Sequence, residues 1–319
     1  MKIYGNVLTE HIQVNKGTAL VIGKFDGLHK GHRALLEMLS KAKAEEDLQT
    51  AIFTFVRSPV EALANTKQQY ILTTEEKRLF MEHNGIDILV ECPLEPEILS
   101  IEPEAFIEDI LVKRLGIKRI FCGEDCGFGN KRRGNASLLK SLEEKFGYKS
   151  TVIKKLQYGG RDISSTFIRE EIEKGNIETV NELLGYPYTT IGIVTKGQQL
   201  GRTLGFPTFN IIPTEDKLLP PNGVYYTNSI IDGERYPSIT NIGTRPTVNG
   251  DNNITIETNI LDVSIDLYKK TVELEFFKYI RPEKKFGSTD ELKAAVENDI
   301  KRCREENERL GARVRIIRK

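Results

Sequence analysis

The sequence carries no surplus of charge: Lys+Arg and Asp+Glu both number 46 in 319 residues, for a formal net charge of zero. That balance leaves no electrostatic footprint for bulk nucleic-acid or membrane-surface binding. A local basic run such as Lys131-Arg132-Arg133 reads first as a solvated loop. No apolar stretch approaches transmembrane length, and the start, Met1-Lys2-Ile3-Tyr4-Gly5-Asn6, does not read as a signal peptide. Cysteine is scarce and scattered (Cys92, Cys122, Cys126, Cys303), and Cys122/Cys126 lacks a second pair to complete a zinc site. The expectation is reduced, buried thiols in a cytoplasmic protein. Two nucleotide signatures are also missing. Without Gly-x-x-x-x-Gly-Lys-Ser/Thr a P-loop kinase is disfavoured, and without Gly-x-Gly-x-x-Gly after the first apolar run so is a dinucleotide-dependent dehydrogenase. Histidine is scarce too, four residues in all, yet two stand together in His29-Lys30-Gly31-His32.

That pair lies between a strand-like run, Thr18–Phe25, and a helix-like one, Arg33–Ala44. Up to about residue 174, apolar runs alternate with amphipathic stretches. Further strands are expected at Thr50–Val56, Asp87–Val90, Arg119–Cys122 and Thr151–Lys154, and helices at Thr74–His83, Pro103–Leu115 and Ala136–Phe146. Pro103 suits a first helical turn, and Gly85, Gly116 and Gly147 suit helix stops. Such alternation predicts a parallel sheet with helices on both faces.

Beyond Gly185-Tyr186-Pro187 the texture changes to short β-branched or aromatic runs: Ile191–Thr195, Phe209–Ile212, Val224–Ile231, Arg235–Ile242, Ile254–Leu261 and Thr271–Phe277. Asp232-Gly233 and Asn249-Gly250-Asp251 read as hairpin turns. Six strands at this spacing predict a small closed barrel, followed by a charged helix from Thr289 to about Leu310. The boundary is expected near residue 186, giving domains 1–185 and 186–319.

Three segments of the first half should meet at the carboxyl ends of its strands, where an open α/β sheet binds ligands. They are Gly23–His32, the Gly-rich Gly123-Glu124-Asp125-Cys126-Gly127-Phe128-Gly129, and Ile163-Ser164-Ser165-Thr166-Phe167-Ile168-Arg169 opening a helix. Glycines allow close backbone approach, and Asp125 can accept from a hydroxyl or amino group. The Ser/Thr helix start with Arg169 one turn on makes a phosphate grip. Attack of a phosphate oxygen on the α-phosphate of ATP needs such a set, because charge grows on the phosphoryl oxygens in the transition state. A metal site is the rival reading of the histidines, but i, i+3 histidines without a carboxylate or thiol partner form a poor ligand set.

In the second half, residues 201–210 read Gly-Arg-Thr-Leu-Gly-Phe-Pro-Thr-Phe-Asn. Gly201 and Gly205 suit a flap over phosphates. Thr208 and Asn210, two apart on an emerging strand, project to one side, and their neutral oxygens suit Mg²⁺ already held by phosphates and water. Glu257, a lone strand carboxylate, reads locally as a solvated side chain.

Taken together these motifs resemble a known family. His29-x-Gly31-His32 with Ile163-Ser-Ser-Thr-x-Ile-Arg169 is similar to the signature pair of the HxGH nucleotidyltransferases. Gly23-x-Phe25-Asp-Gly-x-His-x-Gly-His32 and Leu72-Thr-Thr-x-Glu-Lys77 narrow the resemblance to the prokaryotic bifunctional riboflavin kinases/FMN adenylyltransferases (FAD synthetases). So do Gly-Arg-x-Leu-Gly-Phe-Pro-Thr-x-Asn210, Asn241-Ile-Gly-x-Arg-Pro-Thr247, Asp266-Leu-Tyr268 and Arg281-Pro-Glu283 in the second half. The resemblance implies a Rossmann-like nucleotidyltransferase domain followed by a riboflavin kinase barrel. It also implies substrates ATP, riboflavin and FMN, product FAD, and Mg²⁺.

In the first domain the resemblance implies that His29 and His32 contact ATP phosphates in the transition state. Ser164, Ser165, Thr166 and Arg169 would hold the triphosphate, and Gly23, Phe25, Gly123 and Asp125 would line the nucleotide pocket. In the second, Gly201, Arg202, Gly205 and Pro207 would flank ATP and flavin. Thr208 and Asn210 would bind Mg-ATP, and Glu257 would be the general base toward the ribityl 5′-hydroxyl. Partners are small molecules, with neither nucleic acid nor membrane, and the expected state is a monomer or weak self-association. The chain departs from the family pattern at Val56-Arg57-Ser58-Pro59, where Asp-Pro-His-Pro is usual, at Cys126 in place of an aromatic, at Phe209 in place of Ala and at Asn259 in place of His. An adenylyltransferase whose barrel only binds flavin, and a flavin or nucleotide sensor, are the other readings.

Overall fold

A computed structural model describes residues 1–56, 69–195, 205–246, 252–263, 265 and 267–317. The chain divides into two compact units, Met1–Ser165 and Thr166–Lys319.

The first unit is built on strands β1 (Lys2–Tyr4), β2 (Thr18–Ile22), β3 (Gln49–Phe55), β4 (Ile88–Cys92), β5 (Ile117–Gly123) and β6 (Lys149–Ile153). They form one sheet in the order β1-β4-β3-β2-β5-β6, and every neighbouring pair is parallel. Strands buried on both faces read as continuous apolar runs, and in β2 all five residues are buried. Alternate side chains feed two cores. Leu20 and Ile22 join Phe106, Ile107, Ile110 and Leu111 on one face, while Ala19 and Val21 join Leu35, Leu36, Leu39 and Met81 on the other.

From β2 the chain adds strands in one direction, then returns to add β5 and β6 on the other side. The order therefore reverses between β2 and β5, the point at which such sheets leave a crevice for a ligand.

Several elements depart from the sequence pattern. The first predicted strand stops at Ile22, and Gly27 (φ 90°) and Leu28 (φ 43°) then turn the chain through the left-handed region before the helix Lys30–Glu46. The predicted helix Pro103–Leu115 begins as α over Pro103–Ala105 but is a π-helix over Phe106–Arg114, with the Leu115 N–H donating to Ile110 C=O at 3.1 Å. Ala136–Phe146 is two helices, Ala136–Ser141 and Glu143–Phe146, broken where Leu142 leaves helical geometry (φ −101°, ψ 4°). The thiols of Cys92, Cys122 and Cys303 are buried as expected, but Cys126 is only half-buried.

The second unit opens with the helices Ser165–Glu173 and Ile177–Leu184, whose first residue, Ser165, belongs to the first unit. It then forms a closed barrel of β7 (Tyr188–Thr195), β8 (Phe209–Ile211), β9 (Gly223–Ile231), β10 (Glu234–Pro246), β11 (Asn252–Ile260) and β12 (Thr271–Pro282). Its antiparallel order is β7-β8-β11-β10-β9-β12. The sequence reading draws the boundary near 186. The compact unit reaches back to Thr166 because Asn181 ties the second helix to the barrel, donating to Phe276 C=O at 2.8 Å and accepting from the Tyr188 N–H at 2.7 Å.

Asp232 (φ 52°) and Gly233 (φ 86°) make the predicted two-residue hairpin turn, while Asn249-Gly250-Asp251 lies outside the described residues. Inside the barrel, Tyr188, Tyr225 and Phe276 pack beside a ladder of hydroxyls: Thr227 to Thr240 at 2.8 Å and Thr240 to Thr258 at 2.9 Å. On the outer face, Val224 and Tyr226 meet Cys303 of the terminal helix Thr289–Ile317.

Candidate active sites

At the β2/β5 reversal lies a cavity of about 340 Å³. Gly23, Phe25, His29, His32, Gly123, Asp125, Ser164 and Ser165 all line it, so the three sequence segments do converge. A direct bond fixes two of them together, the Ser165 hydroxyl donating to the Asp26 carbonyl at 2.8 Å. Asp26 is itself buried, and its carboxylate accepts from the Ile71 N–H at 3.0 Å. Thr166 and Arg169 continue the helix Ser165–Glu173 within the second unit.

His29 is the N-cap of the helix Lys30–Glu46 and makes no side-chain capping bond. The helix start thus keeps its dipole and first-turn N–H groups turned toward whatever binds there. The His29 and His32 rings stack with centroids 3.9 Å apart, and Phe25 packs against His32 at 4.9 Å. Gly31 permits this: a Cβ there would stand 3.2 Å from the His29 ring.

Burial lowers His29 to about 4, against the opposing pull of the Asp125 and Asp26 carboxylates. Burial, His29 and the Lys77 ammonium hold His32 well below its usual value. Both imidazoles are therefore neutral near pH 7, and the Nδ1 atom of each is buried with no hydrogen-bond partner. Among the described residues no group of three or more His, Cys, Asp or Glu is arranged to hold a metal ion.

Away from the histidines the cavity is walled by Phe55, Leu94, Ile98, Leu99, Phe106 and Phe128, which is an apolar slot. Cys126, where an aromatic is usual in the family, also lines the cavity. A thiol–thiol hydrogen bond with Cys122, then burial, push its thiol upward.

In the barrel, strand register assembles a second constellation. Asn210 on β8 lies opposite Glu257 on β11, and Glu257 lies opposite Asn241 on β10. Directly opposed residues share a face, so the carboxylate position is flanked by two amides. Asn210 is buried and its Oδ1 has no partner. Phe209 is opposite Thr258, on the alternate face from Asn210 and Glu257. Asn259, which replaces the family's His, donates from Nδ2 to the Pro207 carbonyl at 2.8 Å and so anchors the segment that carries Thr208. Gly205 has φ 87°, the left-handed turn that glycine favours. Gly201, Arg202, Thr247 and Asp266, and the 57–59 part of the departure that begins at Val56, lie outside the described residues.

Residues 11–167 match the FAD synthetase family model, and residues 184–306 match the riboflavin kinase family model, Flavokinase. A curated relative from Escherichia coli (strain K12), a bifunctional riboflavin kinase/FMN adenylyltransferase, is 37% identical over 292 residues, 91% of this chain and 93% of the relative. The chain belongs to this bifunctional riboflavin kinase/FMN adenylyltransferase family. A Bacillus subtilis (strain 168) member of the same name is 32% identical over 287 residues, 88% of this chain and 90% of that one. A solved structure described as a macrolide-efflux protein from Streptococcus pneumoniae matches with a TM-score of 0.84 at 28% identity, covering 95% of this chain and 98% of that chain. Among the described residues here, no helix is long and apolar enough to cross a membrane.

Sequence reasoning overlooked part of this family member's first cavity. Lys24, Arg132, Lys154 and Lys155 line it, and Lys77 acts electrostatically on His32. The signal was available for Lys154 and Lys155, which follow the end of a parallel strand, the edge at which α/β sheets bind ligands.

Proposed function

We propose that this chain makes FAD in two steps, phosphorylating riboflavin to FMN in a barrel domain of residues 186–319 and adenylylating FMN in a domain of residues 1–185. The observation that carries the second step is the neutral, stacked histidine pair with partnerless buried nitrogens, beside an uncapped helix start at the sheet's reversal point. In this reading His29 and His32 each donate an N–H to phosphoryl oxygens as charge builds there, and the FMN phosphate attacks the α-phosphate as pyrophosphate leaves. Ser164, Ser165, Thr166 and Arg169 grip the triphosphate. Gly23, Phe25, Gly123 and Asp125 border the nucleotide, and the slot walled by Phe55, Phe106 and Phe128 receives the flavin ring.

In the kinase step Glu257 takes the proton from the ribityl 5′-hydroxyl, and Gly201, Arg202, Gly205 and Pro207 border the phosphates and flavin. The buried, unsatisfied Oδ1 of Asn210 fits a cation, so Asn210 and Thr208 are the residues that would hold Mg²⁺. When bound with ATP, Mg²⁺ supplies charge neutralisation between phosphate oxygens. We further take the protein to be cytoplasmic, a monomer or weakly self-associating, and without nucleic-acid or membrane partners. Zero net charge and free thiols support that reading.

The test is to incubate the full chain with Mg²⁺ and ATP and with either riboflavin or FMN, then to separate the flavins chromatographically. FMN from riboflavin and FAD from FMN are expected. FAD without any FMN from riboflavin would leave the barrel as a binding module, and no product from either would favour a sensor.

A further inference from the structure

Asp125 presents a problem in a site meant for polyphosphate. It lines the cavity beside His29, close enough that its charge favours the protonated imidazole. Left uncompensated, it would repel the triphosphate and work against the neutral pair.

The structure places a cation against it. Gly123 at the end of β5 and Ile153 at the end of β6 are partners in register, and each chain runs two residues further to Asp125 and Lys155. There the Lys155 ammonium and the Asp125 carboxylate meet at 3.1 Å. Glu124 ties the two loops further, its N–H donating to Ile153 C=O at 3.2 Å. The carboxylate folds back over the strand end, since a Cβ on Gly123 would lie 3.0 Å from Asp125 Oδ1. Arg132 and Lys154 line the same cavity, so positive charge for the phosphates does not depend on Lys155.

We propose that Lys155 is a positioning residue for the adenylyltransferase site: it neutralises Asp125 and fixes that carboxylate as an acceptor for the nucleotide's hydroxyl or amino hydrogens. This rests on the adenylyltransferase reading above. Asp125 makes the contact and Lys155 acts through it. The bond contributes to nucleotide binding, which is alike in the ground and transition states, and adds nothing to the chemical step itself.

Steady-state FAD formation from FMN by the full chain tests this. Because the Asp125 side chain is 67% exposed and its pairing is screened by solvent, Lys155→Met should raise the KM for ATP about threefold, with kcat changed by less than about 1.5-fold. Lys155→Arg should restore most of the loss, and Lys155→Gln provides a second neutral variant. FMN formation from riboflavin should be unchanged in all three. In an Asp125→Asn background Lys155→Met should add no further loss, because no charge remains to compensate. A KM rise of equal size in both backgrounds would mean that Lys155 grips phosphate directly, and an unchanged KM would mean that it does neither. Either result overturns the inference alone. Wild-type protein that makes no FAD overturns the adenylyltransferase reading, and this inference with it.

Discussion

The imidazoles of His29 and His32 lie 3.9 Å apart between centroids with planes only 20° from parallel. Two cations held face to face in a buried site repel strongly, so the stack disfavours protonation of both rings at once. The Nδ1 atom of each ring is buried without a hydrogen-bond partner.

Replacing either ring should therefore remove adenylyl transfer selectively. His29→Ala and His32→Ala are each expected to lower kcat for FAD formation from FMN by roughly 10²–10³-fold, the usual cost of losing a donor to developing charge. FMN formation from riboflavin should survive. Separate assays of the two reactions check this, and parallel loss of both would contradict separate sites.

The lowered histidine values also make stability depend on pH. In the unfolded chain a histidine binds a proton below about 6.5, whereas folded His29 does so only below about 4. Between those values the unfolded state holds more protons, so stability falls as pH drops from about 6.5 toward 4 and levels off below. The His29 contribution at full effect is roughly 3 kcal/mol, and His32 acts in the same direction. Denaturant melts of the first unit's transition at several pH values should show the slope, and a His29→Gln/His32→Gln double variant should flatten it.

Gly31 separates fold from function. It sits at the second position of the helix Lys30–Glu46, where alanine is ordinarily the better helix former by about 1 kcal/mol. Yet the added methyl would press on the His29 ring at 3.2 Å, and that ring is backed by His32. Gly31→Ala is expected to keep thermal stability while lowering kcat for FAD formation by about tenfold or more. An active variant would show that the ring yields without cost.

Much of this was legible in the sequence. Glycines, caps and apolar periods marked the sheet and barrel, and the motifs that end at β2 and β5 were identifiable because ligand crevices form where strand order reverses. The short edge strand Lys2–Tyr4 escaped notice because three residues, two of them exposed, carry no period. The π-helix at Phe106–Arg114 escaped because its apolar residues are spaced much as an α-helix would space them. The place of Lys155 after a strand marked it as a cavity candidate, but only register reveals that it meets Asp125. Asn259 read as a departure from the family, and only the bond to Pro207 gives it a task.

That bond yields a prediction for the barrel. Asn259→Ala removes the anchor on the Pro207 carbonyl, 2.8 Å from Asn259 Nδ2, and frees the segment leading to Thr208 and Asn210. A lost neutral hydrogen bond is worth about 1 kcal/mol, so the KM for ATP in FMN formation should rise about fivefold. Glu257→Gln should behave differently, lowering kcat on the order of 10²-fold or more if it removes the base, with little change in KM. Both variants should make FAD from supplied FMN at the wild-type rate. Steady-state kinetics with riboflavin as acceptor distinguishes them, since anchoring appears in KM and proton transfer in kcat. A Glu257→Gln variant with unchanged kcat would remove this residue from the chemistry and leave the Asn210–Glu257–Asn241 row as a binding surface only.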